Sequence, residues 1–399
     1  MRRAYKFRAY LTRPQEGRAR RLLRDHCDLY SAALEERREA WRKRRVSITY
    51  RAQPAQLKEI RRADPGGQGR HSFTAQQQTL RRLDTVFGAF YARAAKGRAG
   101  YPRFKPWGRF AQVMFVNGDG AKWQPATATG SGWARASLQA VGSVKVRQHR
   151  PVPGTVKTLQ LTREHRRWYV IAVAEAAPVP LPAAGRQIGA DLGVARFLTT
   201  SDGEVVANPR FLAASQLVIA DLQRRKERAR RGSGNRKRIR RQLARQWRKV
   251  RNRRRDFHHK TARALVNKCD VIALEKLNTA GMTRRPGPDP DPAQPGVFLP
   301  NQATAKAGLN KVILDAGWAQ FTGILTAKAE SAGRRVVLVN PAGTSITCHA
   351  CHACGQRCTR PRQDTVTCPH CGPWDADVNG ARNIYARAGL GSGQAAPAA

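Results

Sequence analysis

Val271-Ile272-Ala273-Leu274-Glu275-Lys276-Leu277-Asn278 is an apolar, β-branched run closed by one carboxylate, the way a buried strand presents an acid at its tip. Gly189-Ala190-Asp191-Leu192-Gly193-Val194 has the same character, and Asp375-Ala376-Asp377-Val378-Asn379-Gly380-Ala381-Arg382-Asn383-Ile384 adds a third acidic stretch far along the chain. Three such acids can share one site. Carboxylates gathered in this way are costly to hold ionised unless cations compensate them, and the cations they suit best are Mg²⁺ and Mn²⁺. In a basic chain, two such metals between carboxylates point to phosphodiester cleavage.

The chain is indeed basic. Its 399 residues carry 74 Lys and Arg against 27 Asp and Glu, a net charge of +47. Such an excess repels itself unless a polyanion neutralises it, so the composition calls for a nucleic acid partner over a merely solvated or membrane-surface role. No apolar run approaches the ~20 residues of a membrane span. Met1-Arg2-Arg3-Ala4-Tyr5-Lys6-Phe7-Arg8 lacks a signal-peptide apolar core, so an intracellular protein is expected. Six of the eight Cys fall between Cys348 and Cys371, which in a reducing compartment argues for metal and against disulfides.

An α+β multidomain chain is expected. Tyr5 to Leu11 alternates as a strand, and Thr12-Arg13-Pro14-Gln15 then opens a helix with a Thr cap and a Gln three residues on. Leu23, Cys27, Tyr30 and Leu34 make its apolar face, which gives Cys27 a packing role. A second helix is expected from about Ser72 to Ala95, the two forming a small helical lobe. Gly100-Tyr101-Pro102-Arg103-Phe104-Lys105 interleaves aromatic and basic residues, a mixture that can stack bases and hold phosphates or simply close a packed turn, and Tyr101, Arg103 and Lys105 are candidate nucleic-acid contacts. Short β-type runs at Gln112 to Val116, Ser143 to Val146, Thr158 to Leu161 and Trp168 to Val173 predict a small β-barrel that recruits the N-terminal strand. Pro178 to Gly185 reads as a linker.

From Leu217 to Asn267 the chain predicts a basic helical hairpin broken at Gly232-Ser233-Gly234-Asn235. Ile239, Leu243, Trp247 and Val250 keep one apolar face; Arg236, Lys237, Arg240, Arg241, Arg245 and Arg248, on the other, are suited to a phosphate backbone. His258 and His259 read as ordinary helix residues. Arg284 to Pro300, full of Pro, Gly and Asp, predicts a mobile loop, placed to act as a lid. One helix is expected from about Ala303 to Gly333, then a buried strand from Arg335 to Asn340. Strands alternating with helices around spread acids fit a ribonuclease-H-like α/β sheet.

Cys351-His352-Ala353-Cys354-Gly355 and Cys368-Pro369-His370-Cys371-Gly372 are two knuckles of a tetrahedral Zn²⁺ site. Four thiolates leave no open position, so the zinc is structural. Cys348 precedes Cys351 at the same spacing, which makes Cys348 with Cys351 a competing first pair; the Gly after Cys354 favours Cys351 with Cys354.

Taken together, Gly189 to Val194, Arg255-Asp256-Phe257-His258-His259-Lys260, Leu274 to Asn278, Leu314-Asp315-Ala316-Gly317-Trp318, Asn340-Pro341-Ala342-Gly343-Thr344-Ser345, the knuckles and Asp377 to Ile384 resemble TnpB, the transposon-encoded RNA-guided DNA endonuclease related to small type V CRISPR effectors. The resemblance implies a RuvC-like nuclease domain at residues 186–345 and 373–388, containing the basic hairpin 217–267 and the lid loop 279–300. It implies a zinc-finger insertion at 346–372; the tail at 389–399 reads as disordered from its small residues. It further implies a wedge-type β-barrel formed by 1–11 and 106–182, which holds a helical recognition lobe at 12–105. Asp191, Glu275 and Asp377 would be the catalytic acids, holding two Mg²⁺ (or Mn²⁺) roughly 3.5–4 Å apart. Asp377 is chosen over Asp375 because the family's acid stands two residues before Asn. Gly380 departs from the family's usual Ala. The spacing from Thr344 and Ser345 to the first knuckle, in family terms, favours Cys348 with Cys351. The partners implied are a guide RNA and target double-stranded DNA bearing a short adjacent motif, in the prokaryotic cytoplasm among the nucleoid. The rival readings are a nuclease-inactive RNA-guided regulator, a strand-transferring transposase, and a small type V CRISPR effector.

Overall fold

Tyr5, Phe7 and Ala9 turn inward from β1 (Arg2–Tyr10), the alternation its sequence predicts. The computed structural model describes residues 1–95, 97, 100–127, 132–294, 296–351 and 358–390. It divides into two units, Met1–Ala177 and Pro178–Ala399.

In the first unit, β1 leads into α1 (Arg13–Arg44), closed at its start by the expected capping box of Thr12 and Gln15. α2 (Ala52–Ala63) and α3 (Phe73–Ala94) follow, the latter capped by Ser72. The helical region thus holds three helices where the sequence reading found two. α2 escaped because Leu57 is its only buried apolar side chain; its other buried residue is Gln53, which bonds the Ala33 carbonyl and Glu36. Six strands then run β2 (Gln112–Asn117), β3 (Gly120–Gln124), β4 (Trp133–Leu138), β5 (Gly142–Arg147), β6 (Thr155–Glu164) and β7 (Arg167–Glu175). With β1 they close a barrel in the order β1-β5-β4-β3-β2-β6-β7. Closure depends on β1, which pairs antiparallel with β5 along one edge and β7 along the other. β3 and β4 were not anticipated. Their inward residues include Ala121, Ala134 and Ala136, which give too little hydrophobic contrast for alternation to show.

In the second unit the stretch Pro178 to Gly185 is no free linker. The amides of Val179 and Leu181 bond the carbonyls of Ser331 and Ala332, and those of Ala184 and Gly185 bond the Asp270 carboxylate. The chain continues through β8 (Gln187–Asp191), β9 (Arg196–Thr200), β10 (Val205–Ala207), α4 (Gln216–Arg228), α5 (Gly234–Lys268), β11 (Val271–Glu275) and the short α6 (Thr279–Met282). α7 (Ala303–Ala316), α8 (Trp318–Ser331) and β12 (Arg335–Val339) follow, then β13 (Thr359–Arg362), β14 (Thr365–Cys368), β15 (Gly372–Asp375) and α9 (Ala376–Arg387). The five-stranded sheet has the order β10-β9-β8-β11-β12, with β8, β11 and β12 parallel. Both faces are covered, as parallel strands require. Ile188, Ala190, Ile272 and Leu274 join Val266 of α5 and Phe321 and Leu325 of α8 in one cluster; Val271, Ala273 and Val339 join Ile384 of α9 in another.

Two further expectations in this unit need correcting. The helix expected from Ala303 to Gly333 is two helices, because Gly317 adopts a left-handed φ of 68° and ends α7. The strand expected to be buried, β12, lies at the sheet edge with Leu338 exposed. The segment from Arg284 to Pro300 is irregular and largely exposed. Among the described residues no helix is long and apolar enough to cross a membrane.

Candidate carboxylate site and cysteine cluster

Parallel pairing brings the first two acids together. β8 and β11 run in register with Leu274 opposite Ala190, so Asp191 and Glu275 stand at the same ends of neighbouring strands. α9 delivers Asp377 in its first turn. The helix can lie this close because position 189 is glycine: a Cβ there would come 2.1 Å from the Ala381 carbonyl oxygen and 2.6 Å from the Tyr385 amide nitrogen. Gly380 faces the Asp191 side chain, where a Cβ would sit 3.3 Å from its carboxylate oxygen, so this departure from Ala lies directly against the first acid.

Asp191 is the acid whose charge the other two oppose. Burial first, then Glu275 and Asp377, push Asp191 up from 3.8 to about 7. Burial also raises Glu275 against the hydrogen bond from Thr344, and raises Asp377 against the pull of Arg196. Asp375 is the contrast. It caps α9 by accepting from the amides of Asp377 and Val378 (both 3.0 Å) and pairs with Arg196 at 2.7 Å. Although burial works the other way, the Val378 amide and Arg196 hold its carboxyl below the usual range.

Sequence reasoning missed the frame around these acids. The Thr344 hydroxyl donates to Glu275, while Asn383 donates to the carbonyls of Thr344 (2.9 Å) and Thr347 (2.7 Å). Asn379 donates to Thr347 and accepts from the amide of His349 at 2.9 Å. Two Asn four apart on one helical face, both fully or nearly buried, were the available signal. Arg360 and Arg362 of β13, with Gln363, line the cleft that holds Asp191 and Asp377.

The sulfurs of Cys348, Cys351, Cys368 and Cys371 lie within 4.8 Å of one another. Among the described residues this is the one group of three or more possible ligands gathered so closely. Cys354 lies outside the described residues, and the described cluster uses Cys348 with Cys351. The amide of His370, aided by that of Cys371 and opposed by burial, holds the Cys368 thiol down at about 6. A thiolate stabilised before any ion arrives fits a structural Zn²⁺.

The proposed nucleic-acid contacts separate into two groups. Lys237, Arg240, Arg241 and Arg245 are exposed on α5 and Arg248 is half-buried, but the Arg236 guanidinium is tied to the carbonyls of Lys226 (2.5 Å) and Ala229 (2.8 Å) at the hairpin turn. Trp247, expected on the apolar face, is 40% exposed. His258 is fully buried and bonded to the Ala316 carbonyl at 2.9 Å, a packing role. Tyr101 packs between Phe87 and Phe90, and the Lys105 ammonium lies over the Tyr30 ring; Arg103 is exposed.

A closed barrel, a mixed sheet carrying paired acids and a cysteine cluster within one chain define a Cas12f-like α+β fold. The solved structure of a Cas12f1 bound to single-guide RNA and target DNA superposes with a TM-score of 0.59 at 12% identity, covering 96% of this chain and 98% of that one. A family model described as a probable transposase matches residues 170–285, and a Cas12f1-like TNB domain model matches residues 318–384. An Escherichia coli K12 protein named "Putative RNA-guided DNA endonuclease InsQ" is 31% identical over 78% of this chain and 73% of its own length. A Streptomyces pristinaespiralis protein carrying the same description is 29% identical over 98% of this chain and 90% of its own. The chain belongs to the TnpB family.

Proposed function

We propose that this protein is an RNA-guided DNA endonuclease whose RuvC-like site is built from Asp191, Glu275 and Asp377. The observation that carries the reading is that β8, β11 and the first turn of α9 bring three carboxyls together, all raised by burial and Asp191 also by Glu275 and Asp377. Three carboxyls held together against burial fit divalent cations, and Asp191, Glu275 and Asp377 are the residues that would hold them. Mg²⁺ or Mn²⁺, when bound, supplies Lewis-acid polarisation of the phosphoryl oxygens and a water acidic enough to act as nucleophile.

The remaining work falls to the chain. Thr344 holds one oxygen of Glu275 and so fixes the carboxylate's rotation. Arg196 holds Asp375 closely at 2.7 Å, where it caps α9, and reaches Asp377 only at 3.7 Å, which leaves Asp377 as the acid more loosely tied at the cleft. Arg360 and Arg362 supply positive charge along the same cleft for the backbone of a DNA strand. The exposed cations of α5 add sequence-independent affinity for phosphate, with sequence choice left to guide pairing and to a short motif beside the target. Cys348, Cys351, Cys368 and Cys371 would hold a structural zinc that keeps β13, β14 and β15 in place.

The match to a model described as a probable transposase keeps one second reading open, strand transfer at the same acids. Both are tested by purifying the protein expressed with its flanking DNA, sequencing the RNA that accompanies it, and presenting a matching plasmid with Mg²⁺ beside Asp191→Ala. Guide-dependent cutting lost in the variant is the expected result. Joining or cutting without RNA would replace this reading with the transposase, and bound RNA without cutting with a regulator.

A further inference from the structure

Phe104 and Arg103 are exposed in a segment where Pro102 is buried and Tyr101 and Lys105 are half-buried. Beside them, α1 places Arg38, Trp41 and Arg42 at i, i+3 and i+4 on one face of its end, and Arg45, its left-handed C-cap, follows. Together these side chains surround a cavity of about 550 Å³, floored by Tyr101. That volume lies within the ~300–1,000 Å³ of small-ligand sites.

Its chemistry is unusual for a surface hollow. Trp41 is 49% exposed and Phe104 43%, although such rings normally contribute most when covered. Each has a guanidinium near its face, Arg45 at 5.8 Å from the Trp41 ring centre and Arg38 at 5.9 Å from that of Phe104. Arg42 is held by Glu39 at 2.8 Å. Among the described residues, Arg38, Arg45 and Arg103 have no carboxylate within 4.0 Å. Flat apolar faces beside unneutralised cations match a ligand that is itself flat and apolar at one end and anionic at the other.

We propose that this pocket takes one unpaired nucleotide of a single-stranded nucleic acid, its base against the rings of both Trp41 and Phe104 and its phosphate against Arg38, Arg45 and Arg103. A base inside a duplex keeps both faces stacked on its neighbours and has none to offer. An acidic peptide would satisfy the cations and leave the rings uncovered. None of the pocket's residues is among the proposed catalytic acids, so its test does not depend on cutting.

The experiment uses the full-length protein carrying Asp191→Ala and fluorescent six-nucleotide RNA and DNA strands, with a hairpin duplex of equal charge for comparison. Affinity is read by anisotropy across a salt series. Trp41→Ala and Phe104→Ala should each weaken single-strand binding by about tenfold, with little change for the duplex. Trp41→Phe should restore most of the loss. Arg38→Gln should lower the slope of log affinity against log salt by about 1. A strand with abasic positions should bind as weakly as the alanine variants. Whether RNA or DNA shows the larger loss names the source of the nucleotide. Equal losses on duplex and single strand, no loss in Trp41→Ala, or full affinity for the abasic strand would each overturn the proposal. Thermal unfolding of every variant alongside the parent separates a stacking loss from a folding defect.

Discussion

The carboxylates and the cysteines of the second unit are two ligand sets built on opposite plans. The four sulfurs come from a short local stretch, and turn amides already favour the thiolate at Cys368. The three acids come from two strands and a helix far apart in sequence, and they meet only because a parallel sheet and a glycine contact hold them, with each carboxyl pushed toward its protonated form. The first set is assembled by local turns; the second is assembled by the whole sheet and stays under electrostatic tension until cations arrive. A structural ion suits the first arrangement, and an exchangeable ion that does chemistry suits the second.

That contrast can be broken most directly at the acids. Asp191→Ala, Glu275→Ala and Asp377→Ala should each lower guide-dependent cleavage by roughly 10³-fold or more while target binding persists, measured by plasmid cutting beside gel shift. Asp375→Asn should cleave nearly as the parent does and keep the helix cap, because the asparagine side-chain oxygen still accepts from the Asp377 and Val378 amides. If Asp375→Asn abolished cutting and Asp377→Ala did not, the assignment within α9 would be reversed.

On the cysteine side, Cys348→Ser should lose bound zinc by elemental analysis, and Cys354→Ser should retain it. Because structural zinc in small sites contributes roughly 10 kcal/mol of binding free energy, the first substitution should also lower the unfolding midpoint clearly. Zinc lost from Cys354→Ser and kept in Cys348→Ser would shift the knuckle to the other pair.

The contact that lets α9 approach β8 is next in size. Gly189→Ala drives a methyl group into the backbone of α9, and a loss of about 3 kcal/mol is expected from denaturant unfolding, with cleavage reduced in step. Unchanged stability would mean that the helix is not seated so closely.

The tension itself has a pH signature. A carboxyl with a raised pKa binds its proton more tightly when folded, so its contribution to stability is present below about pH 4 and is lost as pH rises toward about 7. Without metal, the parent should lose a few kcal/mol more than Asp191→Asn across that window, and added Mg²⁺ should narrow the gap. Parallel stability curves for the two proteins would show that the acids are not crowded.

Much of this was legible in the sequence, and what was not shares a cause. Val271 to Glu275 announces a buried strand with an acid at its end, and Gly189 to Asp191 does the same, so the sheet and two of its acids could be read directly. β3, β4 and α2 were missed where Ala or Gln fills the inward positions and the apolar contrast fades. The break at Gly317 was hidden inside a periodic run because one glycine within a helical pattern is ambiguous until its φ is known. The Thr344 and Asn379 frame depends on pairings across long sequence separations that periodicity does not encode.

The same left-handed glycine has a use in protein engineering. Since α7 and α8 are separate helices, the packing of Trp318, Phe321 and Leu325 does not rely on how the chain enters α7. The exposed stretch from 284 to 300 carries a strand bridge between Pro290 and Phe298, and its flanks meet where Asn301 donates to the Gly287 carbonyl at 2.6 Å. Nearby entry and exit points on an exposed segment are what an inserted domain needs, so a fusion partner could be grafted there and leave the sheet and its acids undisturbed.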